Sequence, residues 1–167
     1  MSSPSIPGDA PPATWHARVV VVSDGVADGE REDRGGPALR AALEDLGAVV
    51  DAIAVSPDGI EAVALAVAAQ CDGFAGLVIT TGGTGFGPRD LTPEGTRQVI
   101  EREAPGLAEA MRLVNPLGRL SRGIAGTLGQ AMVLNVPGSP KGAVECLQSV
   151  ADVVPHALAL LAGDRPH

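Results

Sequence analysis

The first long apolar run of the chain, Ala17-Arg18-Val19-Val20-Val21-Val22, sets its valines one after another without polar alternation. Such a run suits a strand covered on both faces, as in a parallel sheet. After a polar loop over 24–36, Leu39, Leu43 and Leu46 recur at helical spacing and Gly47 supplies a stop. Residues 49–55 read as a second strand, and Pro57 opens a helix on which Ile60, Val63, Ala64 and Val67 share one face. Residues 77–80 form a third predicted strand. It feeds a glycine-rich loop and then a predicted helix over about 93–103, with Thr92 as N-cap and Pro93 at the first helical position. Pro105-Gly106 breaks that helix, 107–113 is helical again, and 115–121 shows no assignable period. Residues 124–127 and 131–135 read as two strands around the turn Leu128-Gly129-Gln130. The last predicted helix starts near Ser139 and carries Ala143, Leu147, Val150, Val154, Leu158 and Leu161 on one stripe. Pro155, which cannot donate to the carbonyl four residues back, is expected to kink it.

Alternating strands and helices imply a single-domain α/β fold: an open, mostly parallel sheet with helices on both faces. Residues 1–15, rich in Ser, Pro and Ala, read as a disordered leader, 16–164 as the folded domain and 165–167 as a tail. In such sheets ligands bind beyond the carboxyl ends of the strands. Four polar segments are predicted there: Ser23-Asp24, Pro57-Asp58, 81–90 and 135–141.

Composition narrows the function. The net charge of −8, from 12 basic and 20 acidic residues, argues against nucleic acid and anionic lipid as partners. Trp15, Phe74 and Phe86 are the only aromatics, so the core is expected to be aliphatic. Cys71 and Cys146 lack metal-ligand spacing and read as buried free thiols of a reducing cytosol rather than as a disulfide. No signal segment and no apolar run of membrane-spanning length is visible, so a soluble, cytoplasmic protein is expected.

The candidate chemistry centres on Thr81-Gly82-Gly83-Thr84-Gly85 and Pro88-Arg89-Asp90. Glycines let backbone N–H groups approach an anion, and a helix start follows. No Gly-Lys-Ser/Thr ends the loop and Pro88 stands at the third glycine position, so it is neither a P-loop nor a Rossmann fingerprint. Asp90 inside an anion loop would repel phosphate unless a cation lay between them, which suits a Mg²⁺ ligand. Asp58 beside Pro57 is either a second functional carboxylate or a helix cap. Pro137-Gly138-Ser139-Pro140-Lys141 starts the last helix, where a lysine opposes the helix dipole and either answers a bound anion or is simply solvated. Ser121 with Arg122, and Arg112, are further phosphate-clamp candidates, while the acidic loop over 24–34 reads as solvated surface. His16, His156 and His167 have no partner at metal spacing, and no Ser-His-Asp or Cys-His arrangement is visible.

Together with Val22-Ser23-Asp24, Pro57-Asp58, Pro105-Gly106-Leu107, Leu120-Ser121-Arg122 and 135–140 in that order, the stretch 81–94 resembles the signature of the MogA/MoaB family of molybdenum-cofactor proteins. The resemblance runs over 18–164. It implies molybdopterin adenylyltransferase activity: the terminal phosphate of molybdopterin attacks the α-phosphorus of Mg-ATP, giving adenylyl-molybdopterin and pyrophosphate. It also implies a homotrimer, with transient contact to molybdopterin synthase or the molybdate-insertion protein. The family's two catalytic aspartates correspond to Asp58 and Asp90, with Asp90 the Mg²⁺ ligand. Its binding residues correspond to Ser23, Asp24, Thr81, Gly82, Gly83, Thr84, Gly85, Arg89, Ser121, Arg122, Pro137, Gly138, Ser139 and Lys141. Phe86 is either an adenine or pterin contact or a plain apolar residue. Gly59 and Asp33-Arg34-Gly35-Gly36 depart from commoner family residues. A non-catalytic pterin binder or carrier of the MoaB kind is the alternative reading. Molybdate insertion would call for further domains.

Overall fold

The valine run lies in the interior of a six-stranded sheet. A computed structural model describes residues 14–164. In chain order it contains β1 (Trp15–Val22), α1 (Asp24–Ala27), α2 (Gly35–Asp45), β2 (Ala48–Ser56), α3 (Ile60–Cys71), β3 (Gly76–Thr81), α4 (Thr92–Arg97), β4 (Arg102–Glu103), α5 (Pro105–Arg112), β5 (Ala125–Leu128), β6 (Ala131–Val136), α6 (Pro140–Val150) and α7 (Val154–Leu161). The strand order is β2-β1-β3-β6-β5-β4. The neighbours β2, β1, β3 and β6 are parallel, whereas β6-β5 and β5-β4 are antiparallel.

The missing alternation in β1 has a direct cause. Val19 and Val21 pack with Leu39 and Leu43 of α2 and Leu147 of α6 on one face, while Val20 and Val22 pack with Val63 and Val67 of α3 on the other. Burying each such side chain contributes about 1.5–3 kcal/mol, so both faces of β1 must be apolar. β1 begins at Trp15, ahead of the expected Ala17, because the indole is itself part of the core. Residues 1–13 of the expected leader, and the tail over 165–167, lie outside the described residues.

Three expectations are corrected. The helix expected over 93–103 ends at Arg97, and Arg102–Glu103 extends to pair with Thr127 and Gly126. The amides of Glu101 and Ala104 donate to Thr127 and Ala125 carbonyls, each at 2.8 Å, so edge pairing outcompetes helix continuation. Thr92 is not the cap of α4; Leu91 occupies that position, and the buried Thr92 hydroxyl donates instead to the Gly82 carbonyl at 2.9 Å. The last helix is broken rather than kinked: α6 and α7 meet at 65°, with Pro155 in the first turn of α7, where its missing N–H costs nothing. Residues 115–121 contain a 3₁₀ turn, Pro116–Leu120, capped by the Asn115 side chain, which accepts from Leu117 N–H at 2.9 Å.

One buried polar cluster ties the sheet to the loops above it. Asn135 donates through Nδ2 to the hydroxyls of Thr80 (2.9 Å) and Thr96 (3.0 Å) and accepts from Ile124 N–H at 3.2 Å. All three side chains are almost fully buried. Asn135→Ala leaves these groups unpartnered and is expected to cost about 2–3 kcal/mol, read from the urea midpoint.

Candidate active site

The chain leaves β1 for β2 on one side and then crosses to β3 on the other, so the loops after β1 and β3 diverge. That divergence opens a crevice at the carboxyl edge. The four polar segments predicted from sequence all meet there, each following one of the parallel strands β1, β2, β3 and β6.

Asp24 and Asp58 are locked reciprocally. Asp24 N–H donates to Asp58 Oδ2 at 2.9 Å, and Asp58 N–H donates to Asp24 Oδ1 at 3.1 Å. Arg89 donates to Asp24 through Nε (3.1 Å) and Nη2 (3.2 Å), and to the Asp58 carbonyl at 2.9 Å. The guanidinium holds the Asp24 carboxyl below its usual range. Burial pushes Asp58 upward, opposed by the Asp24 backbone hydrogen bond and assisted by the negative charges of Asp24 and Asp90. Asp58 does not cap α3, whose N-cap is Gly59 without a side-chain bond.

A carboxyl raised in the folded state contributes stability only while protonated, and that contribution is lost as pH rises through its folded value. Asp58→Asn keeps an acceptor for Asp24 N–H and removes the charge. It is therefore expected to raise Tm at pH 7, with the difference from wild type vanishing below the ordinary carboxylate value of about 3.9. Thermal scans across that window check this.

The glycine loop divides into a packed part and an open part. Gly82 (φ +106°) and Gly83 (φ +67°) take up left-handed backbone. A Cβ at Gly82 would strike the Val22 carbonyl, and one at Gly83 would strike Thr92 Oγ1, so close packing requires these two glycines. Gly87 N–H donates to Asp90 Oδ2 at 2.8 Å, folding the loop back on itself. Among the described residues, the amides of Gly83, Thr84, Gly85 and Phe86 have no acceptor, and Phe86 is 70% exposed.

The other predicted residues take different parts. Ser23 and Ser139 cap α1 and α6, accepting from Val26 N–H at 3.2 Å and Gly142 N–H at 3.1 Å. The Thr81 hydroxyl donates to the Pro137 carbonyl at 2.8 Å, joining the glycine loop to the segment after β6. Ser121 Oγ accepts from Gly123 N–H at 3.2 Å. Lys141 projects into solvent, 89% exposed and 4.0 Å from Glu145. Arg112 donates to the Gly123 carbonyl at 2.9 Å, and Arg122 is turned inward onto Glu94 and the carbonyls of the glycine loop.

Two cavities, of about 540 Å³ and 590 Å³, meet at Gly83, Asp90 and Gly138. Thr84, Ser121, Pro137, Ser139 and Lys141 line the first, together with apolar residues such as Met111 and Leu117. Ser23, Asp58, Thr81 and Gly82 line the second. Arg31, Asp33 and Arg34 also face the second cavity, although the sequence pattern marked their loop as solvated surface. Their place in the connection between β1 and α2, at the carboxyl edge of the sheet, was the available signal. Cys71 is buried and its thiol pushed up to about 11, and burial raises Cys146 as well; both are free, and neither is poised as a nucleophile.

Among the described residues no three His, Cys, Asp or Glu side chains cluster as a metal site. Asp58 and Asp90 nevertheless each keep one carboxylate oxygen, Oδ1, outside any hydrogen bond, since only Oδ2 accepts in each. Two such oxygens suit a hard cation that brings its remaining ligands with a phosphate substrate, and do not make an all-protein cage.

Residues 18–156 match a family model described as "Probable molybdopterin binding domain". The chain is 34% identical to a molybdopterin adenylyltransferase of Helicobacter pylori, over 90% of each protein. It is 36% identical to the molybdenum cofactor synthesis protein cinnamon of Drosophila melanogaster, covering 87% of this chain but only 25% of that longer protein. Among solved structures it resembles the molybdopterin biosynthesis enzyme MoaB of Thermus thermophilus, with a TM-score of 0.84 and 42% identity over 92% of this chain and all of the other. The chain belongs to the MogA/MoaB family of molybdenum-cofactor biosynthesis proteins.

Proposed function

We propose that this protein is a molybdopterin adenylyltransferase that joins the AMP moiety of Mg-ATP to the terminal phosphate of molybdopterin and releases pyrophosphate. The observation that carries the reading is the junction of the two cavities. There Asp90 and Gly83 border both spaces, with Thr84 and Gly85, whose amides are also unpartnered, on the wall of the first and Asp58 on the wall of the second.

The nucleophile belongs to the substrate, so the protein needs no reactive Ser, Cys or His. Its work is alignment of two polyanions and stabilisation of charge at the α-phosphoryl group. Amides of 83–86 would face the phosphates, and a hydrogen bond there costs the protein no lost partner. Arg89 neutralises Asp24 and so keeps one of the three nearby carboxylates from repelling the substrate. Mg²⁺ bound through Asp90, with Asp58 beside it, would neutralise negative charge on the polyphosphate. We further propose a cytoplasmic homotrimer that makes transient contact with molybdopterin synthase or the molybdate-insertion protein.

The match to a family described only by molybdopterin binding favours a second reading, a non-catalytic pterin binder of the MoaB kind. Pyrophosphate release measured with ATP, Mg²⁺ and molybdopterin, omitting each in turn, decides between them. Release that requires all three supports the enzyme; tight molybdopterin binding without release supports the binder.

A further inference from the structure

Arg122 entered as a candidate phosphate clamp, yet its guanidinium is already committed. Nε donates to the Gly85 carbonyl at 2.8 Å, Nη2 to the Asp90 carbonyl and Nη1 to Glu94 Oε1, while its backbone N–H donates to the Thr84 carbonyl at 2.8 Å. The other oxygen of Glu94, Oε2, is buried without a hydrogen-bond partner. A carboxylate left half satisfied is costly, which argues that its position is set by the need to orient the guanidinium.

The consequence follows from the peptide unit. No peptide bond among the described residues is cis. In a trans peptide, the carbonyl of one residue and the N–H of the next point in opposite directions. Drawing the Thr84 and Gly85 carbonyls toward Arg122 therefore turns the N–H groups of Gly85 and Phe86 away from it. Those two amides are among the four in the loop that have no acceptor. A glycine-rich loop left to itself would sample both orientations of these peptide planes, because Gly85 and Gly87 restrict them little.

We propose that Arg122 is a positioning residue for the phosphate cradle: it fixes the orientation of the Gly85 and Phe86 amides through their paired carbonyls, and Glu94 holds its guanidinium in place. The inference deepens the adenylyltransferase reading and rests on it for the identity of the anion, but the orientation itself is a property of the free protein.

The test uses Arg122→Lys, which keeps the charge and loses the planar fork. Residual dipolar couplings of the Gly85 and Phe86 amides, measured in weakly aligned, isotope-labelled free protein, report the peptide-plane orientation. The Phe86 coupling is expected to change in the variant, while that of Gly85, whose peptide plane is held by the backbone N–H of position 122 that lysine keeps, and those in the β1 and β3 strands stay at wild-type values. The Kd for Mg-ATP is expected to rise by about 10-fold, the scale of one lost charge-assisted hydrogen bond. Glu94→Gln retains an acceptor and is expected to shift both quantities in the same direction by a smaller amount. If Arg122→Lys fails to fold, the Glu94→Gln comparison carries the test. An unchanged Phe86 coupling in a folded variant would overturn the proposal. Failure of the wild type to bind Mg-ATP would instead remove the adenylyltransferase reading, and the couplings would still decide whether Arg122 sets the loop.

Discussion

Asp90→Asn is expected to lower the rate of pyrophosphate release by about 10²–10³-fold, the scale of losing one preorganised electrostatic contact in a reaction of this kind. The fold is expected to survive. Asp90 Oδ2 accepts from Gly87 N–H, and the carbonyl oxygen of an asparagine can make the same bond. What the substitution removes is the negative charge, together with the Oδ1 atom that no protein donor occupies. Because Asp90 stands where the two cavities meet, its charge acts on both substrates. Steady-state kinetics beside a thermal scan check both halves, and near-wild-type turnover would take Asp90 out of the mechanism.

Gly82→Ala is expected to have the largest effect on stability, about 2–5 kcal/mol. Left-handed backbone costs an L-residue about 1–2 kcal/mol, and overpacking against a fixed neighbour adds about 1–3 kcal/mol. The neighbour here is the Val22 carbonyl, held at the end of a central strand. Gly47→Ala is the natural control: Gly47 has φ +89° with nothing within 4 Å of an added Cβ. It should show only the backbone cost. Urea unfolding of both variants separates the two contributions, and equal losses would mean that the contact with Val22 relaxes freely.

These two residues show how the loop reads in sequence. Its glycines suggested an open anion cradle, but Gly82 and Gly83 serve packing against β1 and Thr92, and the open amides begin at Gly83 and extend to Phe86. Sequence alone cannot divide a glycine run in this way, since the division depends on which strand lies behind it.

Elsewhere the legible part was what local pattern controls. The unbroken valines of β1 required cover on both faces, and the switch in chain direction around it put four polar segments on one edge. The short α4 was illegible because its end is decided by pairing with β5, some 25 residues further on, rather than by any stop signal of its own. Arg122 was legible as important and illegible in role: a basic residue near a phosphate loop can face the ligand or the loop, and only the positions of Glu94 and the loop carbonyls settle which. Arg31 and Arg34 were hidden by the acids around them, which made a cavity wall look like ordinary solvated surface.

The most direct measurement follows the α-phosphate of ATP through a single turnover with molybdopterin and Mg²⁺. With a radiolabel in the α-phosphate, the account predicts label transferred to the pterin, in amounts matching the pyrophosphate released, and lost in Asp90→Asn. Label that stays in ATP, or that appears in free AMP without pterin adenylylation, would contradict it.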